Sequence, residues 1–504
     1  MPLAQAGRLP DKARRFTSWL QASPLGSRLV RGSFWSLLGA IVARVLGFLA
    51  FVAVARVLGK EGYGRFGIIQ STVGMFGVLA GFGLGQTATK YIAELRAEDP
   101  RRVGRIMAMT STVAVITGLI MGALLFFLAP WVAVRALAAP ELALLLRIGS
   151  LILVLEAVNG AQLGALSGFE AFRTTARIQI WVGLSSLPMM LAGVYAAGLE
   201  GSVWAMAANR ALNALLNRLA LRRETAQAGI PVTLRGSCRE RAILWRYSLP
   251  SMLSGAMVSP TLWICNAMLV NRSSGYEQLG IFQAASSFQQ VLFFVGNSLS
   301  APLLPMLASQ LSSGRPNERL ARVNILSTWF LGAVPAVVLF GIPEIAQAVY
   351  GREYAGREFI RVFLLAVLCA CIVIYRQGLT RALAAHGMMW WGALDNLTWA
   401  VALIAGTKLL LAKGAFGYSI AWVLAYGINT ILFIPLYVRK GLVPRGTLVS
   451  PAAGLIWLVL LALMIPVFFG LPLIWRLAVI PVALLILILL FWRLLKGDKD
   501  AAAS

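Results

Sequence analysis

Six ionisable residues lie inside long apolar runs: Arg44, Arg147, Arg210, Arg376, Glu156 and Asp395. An arginine in mid-bilayer costs roughly 2.5–3.5 kcal/mol on insertion scales, so each must face water or a partner. A guanidinium keeps its charge when buried and offers a planar fork of donors, which suits phosphate oxygens. Arg44, Glu156 and Arg210 fall near the middles of their runs. Arg147, Arg376 and Asp395 lie nearer the ends. Three or four arginines against one central carboxylate leave spare positive charge, which would hold an anionic head. Two uses remain open at Arg44 and Arg210: lining a substrate cavity, or pairing structurally with Glu156. Arg147 and Arg376 stand close enough to a surface to snorkel instead. Glu156 is a candidate for proton coupling or for a plain salt bridge to Arg44 or Arg210. Asp395 either couples protons or caps the start of its helix.

Polar stripes accompany these charges. Arg210, Asn213 and Asn217 share one helix face at i, i+3, i+7. Gln283, Ser287, Gln290 and Asn297 make a second stripe, and Glu156, Asn159 and Gly160 a third. Such stripes either glue membrane helices together or line a watery path. The candidate substrate-binding set is therefore Arg44, Arg210, Arg147, Arg376, Asn213, Asn217, Gln290 and Asn297, with Glu156 and Asp395 for coupling or charge pairing.

The sequence offers nothing for enzyme catalysis. The single histidine, His386, stands in a short turn before "MMWW". No nucleophile–base pair, metal-ligand spacing or phosphate-binding glycine loop is present, so neither metal nor cofactor is expected. The four cysteines are too few and too scattered for a disulfide framework. A membrane polymerase or ligase would also need a sizeable exoplasmic domain, and the apolar runs leave room for none.

The elements that must position these residues are membrane helices. Of 504 residues, 59% are hydrophobic and 13% charged, and mean hydropathy is +0.78. A soluble domain carries about 25% charged residues. A span needs about 20 apolar residues. At that length the first half reads 33–57, 66–90, 106–129, 142–166, 178–198 and 201–220. The second half reads 247–270, 280–307, 325–349, 359–384, 392–410 and 414–437, followed by 453–470 and 473–493. The net charge of +26 would suggest nucleic acid in a soluble protein. Here it follows from basic residues gathering in cytoplasmic loops, and no nucleic-acid partner is expected. The bias places both termini in the cytoplasm of a bacterial inner membrane, with "AELRAEDPRRVGR" and the long linker "RRETAQAGIPVTLRGSCRERAILWR" on that side.

A repeat organises the spans. "GYGRFGIIQ" (Gly62 to Gln70) returns as "GYEQLGIFQ" (Gly275 to Gln283). Both copies fall at the first hairpin of a six-span half, on the same side of the membrane, so the halves run parallel about an axis along the membrane normal. Gly62, Tyr63, Gly67, Gly275, Tyr276 and Gly280 read as a structural motif: glycines for tight turns, tyrosines for the interfacial aromatic belt. The expected fold is an all-α polytopic membrane protein of about 14 transmembrane helices. Two parallel-repeat six-helix lobes surround a central cavity, with two extra C-terminal helices. Its parts are an N-terminal tail 1–32, an N-lobe 33–221, a linker 222–246, a C-lobe 247–438, a final pair 439–494 and a C-terminal tail 495–504.

"ARVLGKEGYGRFGIIQSTVGMFGVLAGFGLGQTATKYIAEL" and "GALSGFEAFRTTARIQI" resemble the opening hairpin and the fourth-to-fifth span connection of Wzx-type polysaccharide-biosynthesis flippases. These belong to the multidrug/oligosaccharidyl-lipid/polysaccharide exporter superfamily. The resemblance covers the first third of the chain most strongly. It implies a V-shaped pair of lobes, alternating access, and a polyprenyl-pyrophosphate-linked oligosaccharide drawn from membrane lipid. It further implies association with polysaccharide polymerase or export proteins, and is compatible with a monomer. A lipid II flippase shares the same cationic-cavity logic. An ion-coupled multidrug exporter of the superfamily would want unpaired carboxylates, and spans two, three, five, seven and eight contain no Asp or Glu.

Overall fold

In the computed structural model the described residues are 24–249, 252, 256–297, 303, 307, 318–386, 388–444 and 446–496. The expected N-terminal tail to residue 23 and the C-terminal tail from 497 lie outside them. Helices of the first half are α1 (Pro24–Gly81), α2 (Leu84–Leu95), α3 (Pro100–Trp131), α4 (Leu142–Gly168) and α5 (Phe172–Gln227). The second half holds α6 (Val258–Val270), α7 (Gly275–Asn297), α8 (Glu318–Gly341), the short α9 (Glu344–Tyr350), α10 (Arg357–Ala385), α11 (Met389–Leu410) and α12 (Gly414–Arg439). Then come α13 (Pro451–Ala462), α14 (Ile465–Phe468) and α15 (Leu473–Lys496).

Helices are the solution because a bilayer offers no partner to a free N–H or C=O, and a helix satisfies its backbone internally. Ten apolar stretches among the described residues are long enough to cross a membrane. Three of them, Ile41–Leu95, Phe172–Gln227 and Trp390–Arg439, run 50–56 residues, over twice the ~20 that one crossing requires. Each breaks internally. Gly59 at φ 68° divides α1. Ala197 and Gly198 divide α5, and Gly414 at φ 56° separates α11 from α12.

Several boundaries differ from the sequence reading. The run 66–90 is interrupted where Phe82 and Gly83 take positive φ between α1 and α2. The run 325–349 ends at Gly341, because Pro343 has no N–H to carry the helix onward. α5 continues to Gln227, past the expected start of the linker at 222. Elsewhere local chemistry sets the ends as expected of it. Asp99 accepts a bond from the Arg102 N–H at 2.9 Å ahead of Pro100, and Ser450 caps α13 in the same way ahead of Pro451.

Helices α1–α5 pack mainly on one another, as do α6–α12. α15 leans on α8, where Phe491 meets Trp329 and Phe330 edge-on. α1 carries the principal seam between the halves, against α7 and α6. For orientation, the end of the bundle carrying Gly59 and Gly275 is the repeat end; the end carrying residues 228–248 is the linker end.

Candidate functional site

Glu156 on α4 and Arg210 on the second limb of α5 form an ion pair at 3.4 Å. Neither is sealed: the side chains are 33% and 42% exposed. Glycine 77 on α1 leaves the room for Glu156, whose Oε2 would stand 3.3 Å from a Cβ at that position. Gln70, two turns away, reaches Met206 Sδ on α5. The first half thus presents a half-open polar wall built on α1, α4 and α5. A pair this exposed stabilises the fold by at most about 1 kcal/mol.

The asparagines beneath it fasten helices. Asn217, 1% exposed, donates to Asn159 Oδ1 at 3.3 Å and to Asn213 Oδ1 at 3.2 Å. Asn159 in turn donates to the Arg210 carbonyl at 3.1 Å. The stripe on α5 therefore carries a charge open to water at one end and interhelical hydrogen bonds at the other.

Arg44 stands apart from that pair. It is exposed on α1, with its guanidinium 5.3 Å from the Phe294 ring of α7, a contact of about 0.5–1 kcal/mol at an exposed site. No carboxylate among the described residues pairs with it. It lies 15 residues before Gly59, about 22 Å down the helix at 1.5 Å per residue. Phe48, one turn closer to the repeat end, meets Phe288 edge-on at 5.3 Å. Arg44 accordingly sits on the α1–α7 seam, toward the linker end.

Arg147 and Glu156 are nine residues apart on one helix, about two and a half turns, and so point to opposite sides. Arg147 shares its stripe with exposed Leu144 and Leu151 and lies 5.1 Å from the Phe126 ring on α3. That is the setting of a snorkelling arginine on an apolar face.

In the second half Arg376 (α10) and Asp395 (α11) pair directly, and both are buried. Asn429 on α12 donates to the Asp395 carbonyl at 2.9 Å and to Thr398 Oγ1 at 2.6 Å. Tyr426 lies 5.5 Å below the guanidinium. The stripe on α7 divides: Gln283 packs on Gly67, and Ser287 accepts from Tyr350 Oη at 2.8 Å, while Gln290 is exposed. The Asn297 side chain lies outside the described residues. His386 bonds the Ala382 carbonyl.

The repeat motif has a different task from the one its glycines suggest. Gly62, Gly67 and Gly280 lie inside helices without positive φ, and the turns are made by Gly59 and Ser274; Gly275 alone serves its turn, its N–H closing on the Arg272 carbonyl at 2.9 Å and a Cβ there standing 2.7 Å from Val270 Cα. Instead the two copies cross. A Cβ on Gly280 would stand 2.8 Å from the Lys60 carbonyl carbon, and one on Gly64 2.8 Å from that of Tyr276. No side chain fits between backbones that close. Around the crossing Lys60 pairs with Glu277 at 3.3 Å, and Arg56 donates to the Val349 and Ala348 carbonyls at 2.8 and 2.6 Å. Tyr276 donates to the Leu137 carbonyl at 2.7 Å and carries Arg65 above its ring. Deeper in, Trp263 and Asn266 of α6 donate to Thr72 and Ser71 of α1. The halves are thus bolted together at the repeat end. Arg56, Lys60, Glu277 and Glu353, which accepts the Lys60 N–H at 3.3 Å, escape the sequence reading, since charges beside a turn read as ordinary interfacial residues.

Comparison with known proteins fits this architecture. The EPS I polysaccharide export inner membrane protein EpsE of Ralstonia nicotianae is 26% identical over 422 residues, covering 80% of this chain and 89% of that protein. The lipid III flippase of Escherichia coli is 22% identical over 284 residues, covering 56% and 67%. Among solved structures, an inward-facing multidrug resistance MATE transporter of the MOP superfamily superposes with TM-score 0.67 at 15% identity, over 81% of this chain and 98% of that one. The lipid II flippase MurJ, in its inward closed conformation, gives 0.66 at 14% identity over 92% and 99%. At such identities these two report the fold alone. The family described as polysaccharide biosynthesis protein matches residues 29–311, more than half of the sequence. This chain, a multi-pass membrane protein with the fold of the exporter superfamily, belongs to that polysaccharide biosynthesis family.

Proposed function

We propose that the protein moves a polyprenyl-pyrophosphate-linked oligosaccharide from the cytoplasmic to the outer leaflet by alternating access. In this reading lobes 33–221 and 247–438 rock about the linker 222–246, both termini are cytoplasmic, and the repeat end faces outward, as the basic loops at the linker end favour. The observation that carries it is Arg44: an exposed arginine on the seam between halves, with no carboxylate partner among the described residues. A transporter of cations has no use for it, whereas a pyrophosphate head does. Arg210 joins it once the head competes with Glu156 for the guanidinium. The seam gives the polyprenyl tail a place to stay in lipid while the head crosses. Anion movement outward is favoured by an inside-negative potential, by about 2.3 kcal/mol per charge per 100 mV.

The ion-coupled multidrug exporter is the weaker reading, because the two intramembrane carboxylates of the candidate set are each held by an arginine, Glu156 by Arg210 and Asp395 by Arg376. The test is leaflet transfer of a labelled polyprenyl-pyrophosphate oligosaccharide in proteoliposomes. Wild type should transfer it, and Arg44→Ala and Arg210→Ala should transfer it much more slowly while inserting normally. Normal transfer by both variants would remove the cationic site, and export of organic cations by a wild type that moves no lipid would remove the function.

A further inference from the structure

A second cationic cleft lies away from the seam. Its volume is about 230 Å³, and it sits at the repeat end between the start of α10 and the tip joining α14 to α15. Arg357, Arg361 and Arg476 line it against a single carboxylate, Glu344, with Phe468 and Leu471 forming an apolar wall. Arg476 is 8% exposed; it holds Glu344 at 3.2 Å and the Gly341 carbonyl at 3.4 Å. Its Nε is buried and has no partner among the described residues. Arg357 and Arg361, one turn apart on α10, are exposed and make no ion pair among the described residues.

We infer that this cleft binds the phosphate head of a membrane amphiphile, with its hydrocarbon along Phe468 and Leu471. Three guanidinium groups and one carboxylate leave two positive charges, a match for a phosphate anion. The first turns of α10 and α15 border the cleft and bring helix N-termini, which favour anions, to the same place. Both helices begin here, so the cleft stands at headgroup depth rather than in the hydrocarbon. Phe468 is 42% and Leu471 46% exposed, as a wall meant for an acyl or isoprenoid chain would be. Ordinary interfacial arginines would snorkel to water singly; these three line one cavity. The inference does not rest on the translocation reading, and its assay reads binding alone.

The experiment is native mass spectrometry of the purified, delipidated full chain in detergent. The added ligands are phosphatidylglycerol, polyprenyl phosphate, diacylglycerol and inorganic phosphate in separate arms. Wild type should retain at least one of the two phosphate-bearing lipids in preference to diacylglycerol and to inorganic phosphate. Which of the two binds better identifies the tail. In Arg357→Gln/Arg361→Gln, retention should fall about 30-fold, at about 1 kcal/mol per arginine. Arg272→Gln, an exposed arginine in the turn before α7, should bind as wild type does. Equal retention by wild type and the double variant, with unchanged melting, would overturn the site. Retention of diacylglycerol as strong as that of the phosphate lipids would overturn it as well, and so would inorganic phosphate binding without lipid.

Discussion

Replacing Gly280 by alanine should loosen the bolt at the repeat end. The new methyl would stand 2.8 Å from the Lys60 carbonyl carbon and closer still to its oxygen, where ordinary contact begins at 3.4 Å. The backbones must therefore part by at least 0.6 Å, the difference between those distances, and neither is the free end of a flexible side chain. Lys60–Glu277, already at 3.3 Å, and the Arg56 bonds to Val349 and Ala348 are strained by the same movement. Overpacking of this kind costs about 1–3 kcal/mol. At one decade per 1.4 kcal/mol, the balance between the bolted state and any state in which the repeat end has parted should shift by about 5- to 140-fold. The assay is a spin-label distance measurement between cysteines at exposed Glu141 and Glu358, one on each half, with the four native cysteines replaced. Gly280→Ala should move population to longer distances. Gly427→Ala, whose added Cβ meets nothing within 4 Å, should not. An unchanged distribution in a well-folded Gly280→Ala protein would refute the idea that the glycine crossing holds the halves together.

Three further outcomes follow from the charged groups. Asp395→Asn leaves Arg376 charged and buried, so thermal unfolding in detergent should show a loss of about 3–5 kcal/mol, and Arg376→Met/Asp395→Leu should restore most of it. Glu156→Gln frees the half-exposed Arg210; unfolding should change by no more than about 1 kcal/mol, while affinity for pyrophosphate-bearing lipid, read by equilibrium binding, should rise. Arg147→Gln, on the face of α4 opposite Glu156, should leave leaflet transfer in proteoliposomes near wild type.

Hydrophobic run length was enough to read a helical membrane chain from sequence, though not its number of spans, because the cost of an unpaired backbone group in hydrocarbon leaves few alternatives. Where those runs break was less legible. Pro343 ends α8 by lacking an N–H, yet the apolar composition continues past it. The pairing of Glu156 was readable as one of two arginines, and only packing chose Arg210, by placing α4 and α5 beside the gap at Gly77. Helical spacing could have separated Arg147 from Glu156 in advance, since nine residues fix opposite faces whatever the partners.

The chain alone determined that charge of one sign is in excess within an apolar protein, and that one nine-residue phrase recurs in both halves. Composition and spacing are local properties, so they survive without coordinates. Which arginine keeps a partner, and that the recurring phrase joins the halves instead of turning the chain, was decided by tertiary structure. Gly64 touches Tyr276 and Gly280 touches Lys60 across more than two hundred residues of sequence. Only the folded packing of α1 on α7 sets that distance.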